Sequence, residues 1–217
     1  SYSGIADPLA SAQWYLEQSG VTELNGQITG AGITVSVVDD GIDTAHPDLQ
    51  ENLNFALAFN TQFDTKDGNT KYPYLVGLPP DNHGTAVAGI IGAVANNETG
   101  IVGAAQDAEI VSTRVKWASG HMTQALSLQW QFDVSNNSWG TINPFTANFN
   151  STSHTFDWFN IRKGVEQGRD GQGTVFVFSA GNSAGSGDNT NYSNYANARE
   201  VVTVGAINSS DQASSFS

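Results

Sequence analysis

Three polar positions that could do chemistry each lie at the border of an apolar segment. Asp39 and Asp40 follow the run ITVSVV, and two adjacent carboxylates repel each other unless a cation, a histidine or a hydrogen-bond donor lies nearby. His83 begins a segment of small apolar residues, where an imidazole at a helix start needs a carboxylate partner such as Asp39. Asn182 follows an apolar run and a glycine, so its amide could donate to a developing oxyanion.

Each of these features has a simpler interpretation when it is taken alone. Asp39 could be a turn residue, His83 an ordinary helix-start histidine, and the glycine before Asn182 merely a turn signal. Asp39 and Asp40 could also bind magnesium in a phosphotransfer domain. That chemistry needs a Gly-Lys or Thr-Lys after a strand, and the sequence offers no convincing one.

Alternating strand and helix patterns predict the elements that would position these side chains. Predicted strands are Ile33–Val38, Glu109–Val115, Thr174–Ser179 and Val201–Ala206. Predicted helices are His83–Ala95, which is apolar on most faces and therefore expected to be buried, Met122–Phe132, and Phe156–Gly168. Asp81 or Asn82 could cap the first of them. Polar loops are predicted at Asn60–Pro80, Thr141–Ser153 and Gly181–Ala198. This alternation favours an α/β fold with a parallel sheet, in which ligands lie beyond the carboxyl ends of the strands.

Composition excludes several classes of protein. The chain has 217 residues with 21 acidic and 8 basic side chains, a formal charge of −13 and 39% hydrophobic residues. So few basic residues argue against nucleic-acid and anionic-lipid binding, and no apolar run is long enough to span a bilayer. The absence of cysteine excludes disulfides and thiolate chemistry. Ser1–Ala6 shows no signal-peptide pattern, which fits a cytosolic protein and a processed chain equally well.

The combination of motifs is more specific than any one of them. In order along the chain, it resembles the subtilisin-like serine proteases and most closely their kexin and furin branch. The main matching segments are Val37–Asp43, His83–Gly89, Asn137–Gly140 and Ser179–Asn182. Further matches to that branch are Asp7-Pro8, Gln13–Leu16, His46–Leu49 and Gly187–Tyr192.

The resemblance implies a three-layer fold with a mostly parallel central sheet flanked by helices, incomplete at its C-terminal end. Residues 1–217 would be the N-terminal portion of the catalytic domain. Asp39 would be the triad carboxylate, His83 the general base and Asn182 the oxyanion donor. The family's nucleophile lies in a Gly-Thr-Ser segment, which this sequence lacks, so the chain alone is expected to form no acyl-enzyme.

The resemblance also implies calcium. Ligands of a first site would be the side chains of Asp7, Asp48 and Asn97 and the carbonyls of Val94, Thr99 and Ile101, a mixture that suits a hard cation. Asp188 would contribute to a second site, where Asn143 stands at a position that the family fills with an acid.

Substrate binding is implied at Asp40, Asn143 and the segment Ser138, Trp139, Gly140. The segment Ser138, Trp139, Gly140 would pair with the substrate backbone as an added strand. Asp40 matches a carboxylate that attracts basic residues, but Asn143, Ser193 and His121 stand where the branch carries acids. We therefore expect a weak preference for basic substrates.

Partners implied by the resemblance are a peptide or protein substrate, the missing C-terminal part of the domain, and a prodomain or chaperone, with the protein secreted or periplasmic. The alternative is a non-catalytic, protease-like module that binds peptides or a partner. A Gly-Thr-Ser encoded downstream would distinguish the protease from the module.

Overall fold

Parallel strands form the centre of each of two compact units, Ser1–Arg114 (the N-terminal unit) and Val115–Ser217 (the C-terminal unit). The structure is a computed structural model that describes residues 4–24, 26–66, 68, 81–116 and 120–217. Both units combine parallel strands with helices, as the sequence predicted. No described helix is long and apolar enough to cross a membrane.

The sheet of the N-terminal unit consists of β1 (Thr34–Asp39), β2 (Phe59–Asn60) and β3 (Glu109–Arg114). β3 pairs in parallel with both β1 and β2, and the register places Asp39 opposite Arg114. Every residue of β1 after Thr34 is buried, and its valines lie on both faces of the sheet. The two charged residues therefore end their strands side by side.

In the described part of this unit, three helices accompany the sheet: α1 (Trp14–Gln18), α2 (Val21–Leu24) and α3 (His83–Gly92). α3 packs against β1 and β3 through buried small residues, Gly84, Ala88, Gly89 and Gly92. Ile90 on the opposite side is 47% exposed, so the prediction of a buried helix holds for one face of α3 and is wrong for the other. α3 also ends at Gly92 rather than Ala95, because the backbone is extended at Ala93.

The C-terminal unit contains β4 (Val134–Asn137), β5 (Val175–Ser179) and β6 (Val201–Val204), with β5 in the middle and both pairings parallel. Its helices are α4 (His121–Leu128), α5 (Thr155–Gly171) and α6 (Asn194–Asn197). α5 leaves helical geometry at Gly168, the residue at which the sequence predicted its end.

The structure adds elements that the sequence patterns did not predict. β2, β4, α2 and α6 have four residues or fewer and α1 has five, so they carry little periodicity. α4 ends at Leu128 instead of Phe132 because the chain tightens into a 3₁₀ turn at Gln129–Gln131. The predicted loop Gly181–Ala198 contains α6 and two 3₁₀ turns. Residues 67 and 69–80 of the loop predicted at Asn60–Pro80 lie outside the described residues.

Candidate active site

Asp39 and His83 meet although 44 positions separate them in the sequence. Nδ1 of His83 lies 2.8 Å from Oδ1 and 2.9 Å from Oδ2 of Asp39. Asp39 is 1% exposed at the end of β1, whereas the His83 side chain at the start of α3 is 59% exposed. The pair is therefore anchored in the core at its carboxylate and open to solvent at its imidazole.

The Asp39 carboxylate fixes the orientation of the ring. An ionised carboxylate only accepts hydrogen bonds, so Nδ1 carries the proton and Nε2 is left as the acceptor in the neutral ring. Within the described residues no group hydrogen-bonds to Nε2. Burial raises the pKa of Asp39 above its ordinary value, and the hydrogen bonds from the Asp40 amide and His83 oppose this rise without cancelling it. His83 is thus arranged to take a proton from a group approaching from solvent.

The start of α3 is capped from a distant segment. Asp40 Oδ2 accepts from the His83 amide at 3.1 Å, and Oδ1 accepts from the Gly84 amide at 2.7 Å. Asn82 occupies the N-cap position but makes no side-chain capping bond, so the predicted local cap was wrong. A carboxylate satisfies the free amides of a first helical turn better than a neutral group because it also complements the helix dipole. Asp40 therefore holds the backbone of His83 next to Asp39.

Gly84 makes the close approach of α3 to β1 possible. A Cβ atom at this position would lie 2.4 Å from the carbonyl oxygen of Gly41 and 2.9 Å from Cβ of Asp39. Neither atom is the end of a flexible side chain, so any larger residue must push the helix away. The glycine after His83 is thus required by the packing of the pair.

Arg114 belongs to the site and was missed in the sequence. Its side chain is buried, and its Nε donates to the carbonyl of Asp40 at 2.8 Å. Its two terminal nitrogens donate to Gln62 Oε1 at 3.3 Å and Asp81 Oδ2 at 2.5 Å. A charged residue at the end of the predicted strand IVSTR was the signal that could have found it, because a buried guanidinium needs partners.

In the C-terminal unit, the parallel register brings the other predicted residues to one edge. Asn137 pairs with Phe178, so Ser138–Gly140 after β4 lies beside the residues that follow β5. Ser179 Oγ donates to the Trp139 carbonyl at 3.2 Å. Asn182 is exposed after Gly181, whose φ of +96° turns the chain there. This geometry leaves the amide of Asn182 accessible to solvent.

Trp139, Gly140 and Asp188 line one cleft at this edge. Trp139 is held by edge-to-face contacts with Phe178 and Tyr195, at centroid distances of 5.2 and 5.0 Å. Asn143 is exposed, and the hydroxyl of Thr146 in the same loop donates to its carbonyl at 2.7 Å. The binding roles of these residues stay predictions.

The residues predicted to form the first calcium site come together in the N-terminal unit. Both oxygens of Asp7 accept backbone N–H groups, from Asn96 and Asn97 at 2.8 and 3.0 Å. Asp48 accepts from Asn97 Nδ2 at 2.9 Å and from the Ile101 amide at 3.0 Å. We call Asp7, Asp48 and the loop 94–101 the Asp7–Asp48 cluster.

The donor set of the Asp7–Asp48 cluster fits a hard cation. Asp7 and Asp48 are 5% and 2% exposed, and neither forms an ion pair within the described residues. Described hydrogen bonds leave the carbonyl oxygens of Val94, Thr99 and Ile101 unused. Asn97 turns its amide nitrogen toward Asp48, so the amide must rotate before its oxygen could ligate. Among the described residues there is no group of three or more His, Asp or Glu suited to a metal, so amide and carbonyl oxygens would be essential.

Comparison with known proteins identifies the family of this fold and site. Residues 30–217 match the model of the Subtilase family, and the chain belongs to that family. It is 35% identical to kexin of Saccharomyces cerevisiae over 95% of this chain and 26% of that protein. It is 31% identical to furin of Bos taurus over 94% of this chain and 26% of that protein. The chain therefore spans about a quarter of the length of these curated relatives.

Solved structures agree on the fold. The crystal structure of a serine protease of Aeromonas sobria matches 97% of this chain and 41% of that one, with a TM-score of 0.77 and 23% identity. A complex of the Aeromonas sobria serine protease with a chaperone matches 82% of this chain and 32% of that one, with a TM-score of 0.64 and 25% identity. The predicted subtilisin-like α/β fold is confirmed by these likenesses.

Proposed function

We propose that this chain is the N-terminal portion of the catalytic domain of a serine endopeptidase in which Asp39 and His83 are two members of an Asp-His-Ser triad. The observation that carries the proposal is the hydrogen bond of 2.8 Å between the buried Asp39 and Nδ1 of the exposed His83. Membership of the Subtilase family supports it. The serine lies on a segment outside these 217 residues, because the sequence contains no Gly-Thr-Ser.

The proposed reaction uses His83 first as base and then as acid. The serine oxygen bonds to the substrate carbonyl carbon while the serine proton passes to Nε2 of His83. Asn182 donates to the oxyanion of the tetrahedral intermediate. When the carbon–nitrogen bond breaks, the amine leaves with the proton from Nε2. A water molecule then attacks the acyl-enzyme by the same steps and releases the acid product and the free serine. Asp39 stabilises the imidazolium in both halves of the reaction.

Substrate binding is proposed along Ser138–Gly140, whose backbone would pair with an extended peptide. Asp40 keeps free lone pairs beside the two amides that it caps, so it can still accept from a basic side chain. Asn143 and Asp188 would line the pocket. The charge of −13 supports a weak preference for basic peptides, since it raises their local concentration.

Calcium is proposed as a structural cation in the Asp7–Asp48 cluster. The side chains of Asp7, Asp48 and Asn97 and the carbonyls of Val94, Thr99 and Ile101 would hold it. Bound calcium would offset the repulsion between two buried carboxylates and tie the N-terminal segment to the loop. A second site at Asp188 is proposed on the resemblance alone.

The proposed partners and location are inferred from the relatives of this chain. One structural relative was solved with a chaperone, which supports a chaperone or prodomain as a partner here. The homology to kexin and furin supports a secreted or periplasmic location.

Fluorophosphonate labelling of the complete gene product tests the proposed function. We expect covalent labelling and peptide hydrolysis, both reduced at least about 10³-fold in His83→Ala because the base is lost. His154→Ala is the matched control, since the described contacts of the His154 side chain are with the hydroxyls of Ser151 and Ser153 and the Tyr195 ring, away from Asp39. Peptide binding without labelling would favour the non-catalytic module, and labelling that depends on His154 would contradict the assignment of His83.

A further inference from the structure

Arg114 contacts both chain segments that carry the Asp39–His83 pair. From the end of β3 its guanidinium reaches the carbonyl of Asp40 at 2.8 Å, directly after β1. The same group reaches Asp81 at 2.5 Å, two residues before α3 begins at His83. One planar group therefore joins the two segments whose separation sets the Asp39–His83 distance.

Asp40 transmits this contact to both members of the pair. Its amide donates to Asp39 Oδ1 at 2.8 Å, and its carboxylate accepts from the amides of His83 and Gly84. Its carbonyl is the one that Arg114 holds. All three polar groups of Asp40 are thus engaged, and a shift of its backbone would move Asp39 and His83 together.

Because Arg114 is buried, its guanidinium needs well-placed hydrogen-bond partners. The residue is 7% exposed, and a guanidinium at that depth must be paired and hydrogen-bonded to offset its desolvation. Its planar fork donates in fixed directions, which a lysine ammonium on a flexible stem cannot reproduce. Such a group is suited to fixing geometry as well as to neutralising charge.

We propose that Arg114 is a positioning residue that sets the geometry of the Asp39–His83 pair through Asp40 and Asp81. The proposal rests on the proposed function for its effect on catalysis. Its effect on the start of α3 is independent of catalysis. Arg114 does not touch the substrate in this proposal, and it acts only by holding the two segments.

Three variants test this proposal: Arg114→Met, Arg114→Lys and the control Arg169→Met. Arg169 also forms an ion pair and is 32% exposed, but its partner Asp133 at 3.0 Å belongs to the C-terminal unit. In the complete gene product we expect kcat to fall roughly 10- to 100-fold in Arg114→Met, with KM within about threefold, because small displacements of catalytic groups are costly. Arg114→Lys should restore the charge and leave kcat several-fold low, and Arg169→Met should match the wild type.

A second measurement does not need hydrolysis. The His83 and Gly84 amides donate to the Asp40 carboxylate. In the complete gene product their hydrogen exchange should be at least about tenfold faster in Arg114→Met than in Arg169→Met. If the wild type does not hydrolyse peptides, the proposed function fails and this exchange alone decides the positioning role. Unchanged exchange would overturn the proposal. If the protein is active, an unchanged kcat in Arg114→Met would also overturn the proposal. Full restoration of kcat by Arg114→Lys would overturn it too, because the effect would then be one of charge alone.

Discussion

At the scale of single residues, Asp39 combines burial with a charge. The carboxylate is 1% exposed and receives the Asp40 amide and the His83 ring, yet burial raises its pKa. The ionised form is therefore less favourable in the folded protein than in the unfolded chain. A buried carboxylate that costs stability at a proposed catalytic position is consistent with the general trade between activity and stability at functional sites.

Asp39→Asn should alter how stability depends on pH. A raised pKa in the folded state means that stability present below about pH 4 is lost as the pH rises through the folded-state pKa of Asp39. We expect the free energy of unfolding of the wild type to fall relative to Asp39→Asn between pH 4 and neutral pH. Urea unfolding across that range measures the difference.

The exposed Asp107 provides the control for this series. Asp107→Asn should follow the wild-type curve across the pH range. A wild type that gains stability over Asp39→Asn as the pH rises would show that the partners of Asp39 outweigh its burial.

Sequence analysis located Asp39 because it follows a patterned apolar segment, and His83 because it begins one. The capping role of Asp40 and the contacts of Arg114 could not be predicted in the same way. Both depend on which strands are neighbours and in which register, and a single sequence does not contain that information. The charge at the end of IVSTR indicates only that some partner must exist.

At the scale of elements, the seating of α3 on β1 depends on small residues on one helix face. Gly84 and Gly92 both lie too close to their neighbours to accept a Cβ atom, while Gly89 has ordinary space. The sequence pattern correctly predicted a helix rich in small residues. It missed the exposed side at Ile90 because the helix is apolar all round, which leaves the buried face undefined.

Gly84→Ala should destabilise the protein by about 1–3 kcal/mol, because the added methyl group meets the Gly41 carbonyl at 2.4 Å. Gly89→Ala is the matched control on the same helix. Its Cβ would lie 3.5 Å from Ile101 Cδ1, and alanine favours helix, so its stability should equal or exceed the wild type. Urea denaturation measures both, and equal effects of the two substitutions would refute the packing argument.

Short elements explain most of the difference between the predicted and observed folds. β2 has two residues and β4 has four, and neither shows a period that distinguishes a strand from a loop. They form because longer neighbours, β3 and β5, supply the hydrogen-bond partners. The α/β class was predictable from the long segments, and the complete strand list was not.

At the scale of the whole molecule, two features destabilise the folded state by repulsion between like charges. They are the net charge of −13 and the two buried carboxylates of the Asp7–Asp48 cluster. Like charges repel more strongly in the compact state than in the unfolded chain, so cations of any kind should stabilise the fold. General screening and specific binding can be separated by their dependence on concentration and on ion type.

Calcium should raise Tm more than sodium does at the same ionic strength. Specific binding at about 100 times Kd adds about 2.7 kcal/mol, whereas sodium acts only by screening. In Asp48→Asn the calcium-specific part should disappear while the response to sodium remains. Thermal unfolding with chelator, sodium chloride or calcium chloride measures this, and identical responses to both salts would argue against the site.

The parallel register of β1 and β3 has a consequence for how the chain folds. Arg114 reaches its three acceptors only when Asp39 stands opposite it. A slip of one residue would turn the guanidinium to the other face of the sheet, and a slip of two would leave it buried among apolar side chains without partners. Arg114 would then penalise misaligned sheets, adding to the register preference of the buried hydroxyl pair Ser36–Thr113 between the same two strands.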